Sequence, residues 1–186
     1  MQIAATDRMD KSAFLAWVQT RERQRCELVN GSVVEAPPNT LAHALITGNL
    51  ARVLEAALGR KQWQILLSFG VDTGPRTIRD PDILVDSGGN PADLTANAPV
   101  FLAEVLSPTS GTIDLGDKPG EYLRLPNLLA YLVVSQDTPK GWLWVRGDAG
   151  FPAAPSVIIG REGIVRVPPL KIELPLAQIY RNLEIK

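Results

Sequence analysis

Cysteine and histidine are almost missing from this chain: Cys26 and His43 are the only ones among 186 residues. An internal disulfide is therefore excluded, as is any zinc motif built on several cysteines or histidines. A hard cation held by carboxylate oxygens stays open, and a lone cysteine fits a reducing compartment. A dominant charge is missing as well. Nineteen Lys and Arg stand against twenty Asp and Glu, a net charge of -1, so no global positive field draws in a polyanion and any anion site must be local. No stretch approaches 18 uninterrupted apolar residues, and the opening Met1 to Arg8 has no basic segment followed by an apolar run. A cytoplasmic protein with no membrane partner is the expectation. There is no internal repeat and no low-complexity tract. Hydrophobic residues at 45% and charged residues at 21% are ordinary globular values, and the length suits a single domain over 1–186.

What is present is an ordered series of short elements. Asp10 caps a helix through Thr20 with Phe14, Leu15, Trp17 and Val18 on its apolar face. Cys26 to Val29 and Ser32 to Glu35 flank Asn30-Gly31, the dipeptide best suited to the positive φ angles of a two-residue hairpin. Thr40 opens a long helix whose Ile46, Leu50, Val53, Leu54, Ala57 and Leu58 recur at helical spacing until Gly59. Strands follow at Trp63 to Phe69, Asp82 to Val85, Val100 to Leu106 and Leu129 to Val134. A turn at Ser107 to Gly111 and a helix over Leu115 to Leu125 separate the last two. Shorter strands at Trp142 to Val145, Ser156 to Ile159 and Gly163 to Val167 precede a helical turn at Leu176 to Tyr180. Strands outnumber helices, and the order predicts an α+β fold with helices flanking one mixed or largely antiparallel sheet.

The most informative residue is Glu104. Alternation along a strand puts Leu102, Glu104 and Leu106 on one face and Phe101, Ala103 and Val105 on the other, so a carboxylate sits among apolar neighbours. An ionised acid buried there costs several kcal/mol unless a cation, a metal or a strong donor is close; a solvent-facing edge position is the alternative. Asp82, after Pro81, is by itself ordinary turn chemistry. If its strand neighbours that of Glu104, the two acids can share Mg²⁺ or Mn²⁺. Lys118, with Tyr122 one turn on, either reaches back to these acids or is a solvated helix lysine. On this picture Lys118→Met leaves melting nearly unchanged, and Asp82→Asn relieves repulsion between the two acids.

Further polar residues have weaker claims. His43, at the start of the long helix, suits a supporting donor, a phosphate contact or a polar cap. A Ser107/His43/acid triad lacks the Gly-x-Ser-x-Gly elbow. Arg21, Arg23 and Arg25 alternate as a strand presents them, and with Arg76 and Arg79 they form either a phosphate-binding stripe or solvated charges. Trp142 and Trp144 share one strand face, which points to packing or a dimer contact rather than base stacking.

Taken together, Pro81-Asp82, the run Glu104 to Ser110, Asp114, Lys118 and Tyr122, with the hairpin from Glu27 and with His43, resemble the restriction endonuclease family often called Uma-type. That family belongs to the PD-(D/E)XK nuclease superfamily, and the likeness runs from Arg25 to Val134. The resemblance implies a restriction-endonuclease-like fold and a divalent-metal-dependent endonuclease acting on DNA. It implies Asp82 and Glu104 as metal-binding acids and Glu27 as an accessory acid. The superfamily's usual lysine stands two residues after the acid, where this chain has Leu106; Lys118 on the following helix is its implied replacement. Pro119-Gly120 directly after it is poor helix interior. His43 and Tyr122 complete the candidate site, and cutting both strands makes a homodimer plausible. The alternative is a module that kept the fold to bind DNA or a protein without cutting.

Overall fold

The computed structural model describes residues 8–20, 25–59, 62–106 and 113–185. Arg21, Arg23, Ser107 and the 107–111 turn lie outside these, as does the side chain of Asp114. Helix α1 (Lys11–Val18) leads into the hairpin β1 (Cys26–Val29) and β2 (Ser32–Glu35). Asn30 and Gly31 both take positive φ, 50° and 85°, so the dipeptide closes the hairpin as its chemistry requires. Helix α2 (Leu41–Leu58) follows, capped by the Thr40 hydroxyl, which accepts from the His43 N–H at 3.1 Å and donates to Gln136 Oε1 at 2.8 Å. Thr40→Ala is expected to cost about 1 kcal/mol, read as a lower midpoint in urea.

Beyond α2 the chain departs from the expected single sheet. Strands β3 (Gln64–Leu67), β4 (Val71–Gly74), β5 (Thr77–Arg79), β6 (Ile83–Asp86) and β7 (Pro99–Leu106) belong to two sheets. One has the order β2-β1-β5-β4; β3, β6 and β7 join the later strands β8 (Ala130–Ser135), β9 (Lys140–Val145) and β10 (Ser156–Ile159) in the order β10-β9-β8-β7-β6-β3. Ser68 sits at φ 49°, and at Gly70 a Cβ would lie 2.8 Å from the Leu94 carbonyl oxygen, so the chain turns out of the larger sheet there. Pro81, which cannot donate to a ladder, marks its return. Sequence periodicity gave no sign of β4 or β5, each too short and too polar to register. Pairing in the six-stranded sheet is antiparallel except between β7 and β8, so the sheet is mixed.

A π-helical turn (Ile113–Asp117) runs into α3 (Lys118–Tyr122), much shorter than the expected Leu115 to Leu125. Pro119 lacks an N–H and is tolerated only in a first turn, so the α-helix cannot begin earlier. The chain ends with a ribbon of β11 (Ile164–Val167) and β12 (Ile172–Pro175), then α4 (Leu176–Ile179). Cores lie on both faces of the six-stranded sheet. Ile46, Leu50 and Leu54 of α2 cover Ile83, Phe101, Ala103 and Val105, while Leu84, Leu102, Tyr131 and Val133 pack against Tyr122 on the other side. The strand parity read from sequence is the observed one. Trp144 is buried and stacks on Tyr131 at 5.4 Å, and half-buried Trp142 lies beneath the Lys140 ammonium, so both tryptophans serve packing. No described helix is long and apolar enough to cross a membrane.

Candidate active site

The acids meet where the two sheets part. Strand β5 ends at Arg79, Asp80-Pro81-Asp82 bridges the sheets, and β6 begins at Ile83. The β6–β7 register pairs Ile83 with Ala103 and Leu84 with Leu102, so one further step sets Asp82 opposite Glu104. Both are buried, at 5% and 3% exposure. Glu104 projects from the face that carries Leu84, Leu102 and Tyr131, and α3 lies over that face.

Each acid is held by donors. Glu104 Oε1 accepts from Lys118 Nζ at 2.8 Å and from the Tyr122 hydroxyl at 3.0 Å. Lys118 and Tyr122 are four residues apart, so a single helical turn aims both at one oxygen. Burial and the charge of Glu104 push the Tyr122 hydroxyl far above the usual tyrosine value, so it remains a proton donor. Asp82 Oδ2 accepts from the Val105 N–H at 2.8 Å, while Oδ1 accepts from Arg25 Nη1 at 2.9 Å. His43 Nε2 comes within 3.1 Å of the same oxygen, at ion-pair distance but without hydrogen-bond alignment. Burial alone would raise the Asp82 carboxyl; His43, the Val105 N–H and Arg25 outweigh it and hold it below the usual range.

Around this pair lies a ring of further charges. Glu27 on β1 accepts from the Asp80 N–H at 3.1 Å, pairs with Arg79 at 2.9 Å and stands 3.6 Å from Lys118. Burial opposes its ionisation, yet Lys118 and Arg79 hold its carboxyl below the ordinary value. Arg79 also forks onto Glu121 of α3, with bonds of 2.6 and 2.7 Å, and Thr73 donates to the same carboxylate at 3.0 Å. Arg25 binds Asp80 twice, through Oδ2 and the carbonyl oxygen, each at 2.9 Å. Burial, followed by the charges of Glu27 and Asp82, raises Asp80 despite Arg25.

All six residues singled out from sequence, Asp82, Glu104, Lys118, Glu27, His43 and Tyr122, therefore stand in one network. Three expectations change. Lys118 reaches the acids, the first of its two readings, but at 8% exposure it is a buried counter-ion, so Lys118→Met does not leave melting unchanged. Asp82 and Glu104 do not face each other bare, since each has its own cation, so Asp82→Asn removes bonds rather than repulsion. Arg25 and Arg79 form no open stripe for phosphate: both are engaged by carboxylates, and Arg79 is 4% exposed. Sequence reasoning missed Glu121 and the pairing of both arginines. Position 121, three after Lys118, was the available signal for the former. His43 could have been placed from its helical spacing, since it continues the buried stripe of Ile46 and Leu50.

No group of three or more His, Cys, Asp or Glu converges to enclose a metal ion among the described residues. The cluster nonetheless contains five carboxylates, on Glu27, Asp80, Asp82, Glu104 and Glu121, against the cations Arg25, Arg79 and Lys118. Carboxylates thus outnumber the guanidinium and ammonium groups of the cluster by two. One Asp80 oxygen, Oδ1, is buried without a hydrogen-bond partner among the described residues.

A cyanobacterial relative, the uncharacterized protein sll1609 of Synechocystis sp. (strain ATCC 27184 / PCC 6803 / Kazusa), is 24% identical over 143 residues, spanning 73% of this chain and 80% of its own. A crystal structure described as a putative nuclease belonging to DUF820, from Anabaena variabilis ATCC 29413, superposes with a TM-score of 0.72. The match covers 89% of this chain and 96% of that one at 16% identity, a likeness of fold. The sequence profile of Uma2, described as "Putative restriction endonuclease", matches residues 12–175, and the chain belongs to that family.

Proposed function

We propose that the protein is a divalent-metal-dependent endonuclease hydrolysing DNA phosphodiester bonds, with Asp82 and Glu104 as ligands for Mg²⁺ or Mn²⁺ and Lys118, bonded to Glu104, as the cation that stabilises developing charge. The observation that carries this reading is Glu104 itself. It is a charged acid on an otherwise apolar buried strand, in register with Asp82 and bonded to Lys118 at 2.8 Å. An apolar residue there would serve the fold at least as well, so the acid calls for another reason.

The donor set fits a hard divalent cation in its chemistry: the ligand atoms are carboxylate oxygens, carboxylates outnumber the Arg and Lys groups around them, and one buried carboxylate oxygen lacks a donor among the described residues. When bound, such a cation supplies Lewis-acid polarisation of the phosphodiester. The chain's residues do the remaining work. Tyr122 and the Val105 N–H fix the two carboxylates in place. Lys118 brings a positive charge to the acids, where it can stabilise negative charge building on phosphoryl oxygens. Glu27 stands 3.6 Å from the same ammonium, which thus lies within reach of Glu104 and Glu27 together. Cleavage of both strands calls for two such sites, so a homodimer is part of this reading.

A second reading, a nuclease-fold module that binds DNA or a protein without cutting, is favoured by the Arg25–Asp82 bond, which gives one ligand acid a cation already. One assay separates the two. Supercoiled plasmid, linear duplex and single-stranded DNA are each incubated with the protein in Mn²⁺ or in EDTA. Products formed only in Mn²⁺ and lost with Asp82→Asn are expected. Products that survive Asp82→Asn or EDTA overturn the metal assignment, and retarded DNA without cleavage favours the binding module.

A further inference from the structure

The guanidinium of Arg25 makes three bonds that are unequally divided. Nε reaches Asp80 Oδ2, Nη2 reaches the Asp80 carbonyl oxygen, and Nη1 reaches Asp82 Oδ1, all at 2.9 Å. Asp80 alone would anchor the group. The third bond falls on the Asp82 oxygen that the backbone leaves open, because Oδ2 is committed to the Val105 N–H. Oδ1 is thus the oxygen less committed to the backbone, and a cation that takes it meets the guanidinium already there. Two positive groups on one carboxylate oxygen repel strongly where water is scarce.

We propose that Arg25 is an internal competitor for the metal: it occupies Asp82 when no ion is present and sets how tightly a divalent cation binds. This rests on the reading of Asp82 and Glu104 as a metal pair. The exchange is local. The Arg25 side chain is 26% exposed and lines a cavity of about 430 Å³ that extends to Phe14, Val18, Phe69 and Leu94. The guanidinium is planar and rigid, so Nη1 leaves Asp82 when the whole group turns, and the cavity gives it the space to do so. Arg25 also gives Asp82 a partner in the absence of metal, so the fold does not depend on an ion to neutralise a buried acid. His43 Nε2, 3.1 Å from the same oxygen, adds to the crowding there.

Mn²⁺ titration followed by electron paramagnetic resonance of the free ion tests this without any substrate. Arg25→Gln is expected to bind Mn²⁺ at least tenfold more tightly than wild type, a difference of about 1.4 kcal/mol. Its melting temperature in EDTA should fall and should rise more on adding Mn²⁺ than that of wild type. Arg25→Lys, which keeps the charge but cannot span both acids, should lie between the two, and it carries the comparison if Arg25→Gln does not fold. Asp82→Asn should abolish Mn²⁺ binding in both backgrounds. Equal or weaker binding by the Arg25 variants overturns the competition and leaves the metal pair standing. No binding to any of them, or binding that survives Asp82→Asn, overturns the metal pair itself.

Discussion

Lys118→Met is expected to destabilise the protein by about 3–5 kcal/mol, the usual result of removing one partner from a buried ion pair. Its ammonium is 2.8 Å from Glu104 and 3.6 Å from Glu27, and all three side chains are largely buried. Methionine fills the same volume but leaves Glu104 with a hydroxyl bond from Tyr122 in place of a cation. For a chain of this length each kcal/mol moves the melting temperature by roughly 2–4 °C, so a fall on the order of 6–20 °C is anticipated. Glu104→Gln alone should be milder. Its amide oxygen can still accept from Lys118 and Tyr122, and Lys118 keeps Glu27. Joining the two substitutions removes the uncompensated charge, so the double variant should melt well above Lys118→Met. That recovery identifies the ammonium as the counter-ion of Glu104 rather than as a packing element. Thermal melts of the four proteins in EDTA test the claim, and a Lys118→Met that melts with wild type would overturn it.

The difference from the sequence-based expectation for Lys118 is instructive. Alternation along β7 was enough to put Glu104 on an apolar face, and a face has only two options, so that step needed no tertiary information. The Asn30-Gly31 turn and the stripe of α2 were legible for the same reason: they are local periodicities or local backbone demands. Lys118 lies on a segment that lacks such periodicity. Pro119 and Gly120 make α3 a five-residue helix that propensity alone would not sustain, and its position depends on partners from β1, β4, β5 and β7. The acids were visible because charge in an apolar run stands out. Arg79 and Glu121 were not, because a charged residue in a polar stretch looks like every other solvated charge until the fold buries it. Asp82 lay between these cases, its strand legible and its neighbour inferred. Its cation was missed, since Arg25 is 57 residues away in sequence.

Arg79→Met should be at least as damaging as Lys118→Met and should act on a wider region. Among the described residues, Arg79 is the side chain that bonds both Glu27 on β1 and Glu121 on α3, using Nη1 for one and the Nε/Nη2 fork for the other. Burial opposes its charge, but the two carboxylates outweigh that and hold it firmly protonated. Without it, Glu121 loses both arms of its fork, and Glu27 is left with Lys118 at 3.6 Å and the Asp80 N–H. Glu121, about a quarter exposed, can turn to water, whereas Glu27 at 14% cannot do so without opening the cluster. A loss of about 3–5 kcal/mol is therefore expected, arising mostly from Glu27. Freeing Glu121 also removes one of the ties on α3: among the described residues Glu121 then keeps its bond to Thr73, while Lys118 and Tyr122 still hold Glu104. Amide exchange over 118–125 should then quicken by more than over β6 and β7, whose ladders do not involve Arg79. Arg79→Lys should not restore it: one ammonium cannot reproduce a fork that spans two elements. Adding Glu27→Gln to Arg79→Met should recover stability but not the exchange protection of α3, because Glu121 would still lack its partner. Recovery of both, or none of either, would mean that Arg79 is not the tie between α3 and the β1 acid, and that Lys118 is brought to Glu104 by packing alone.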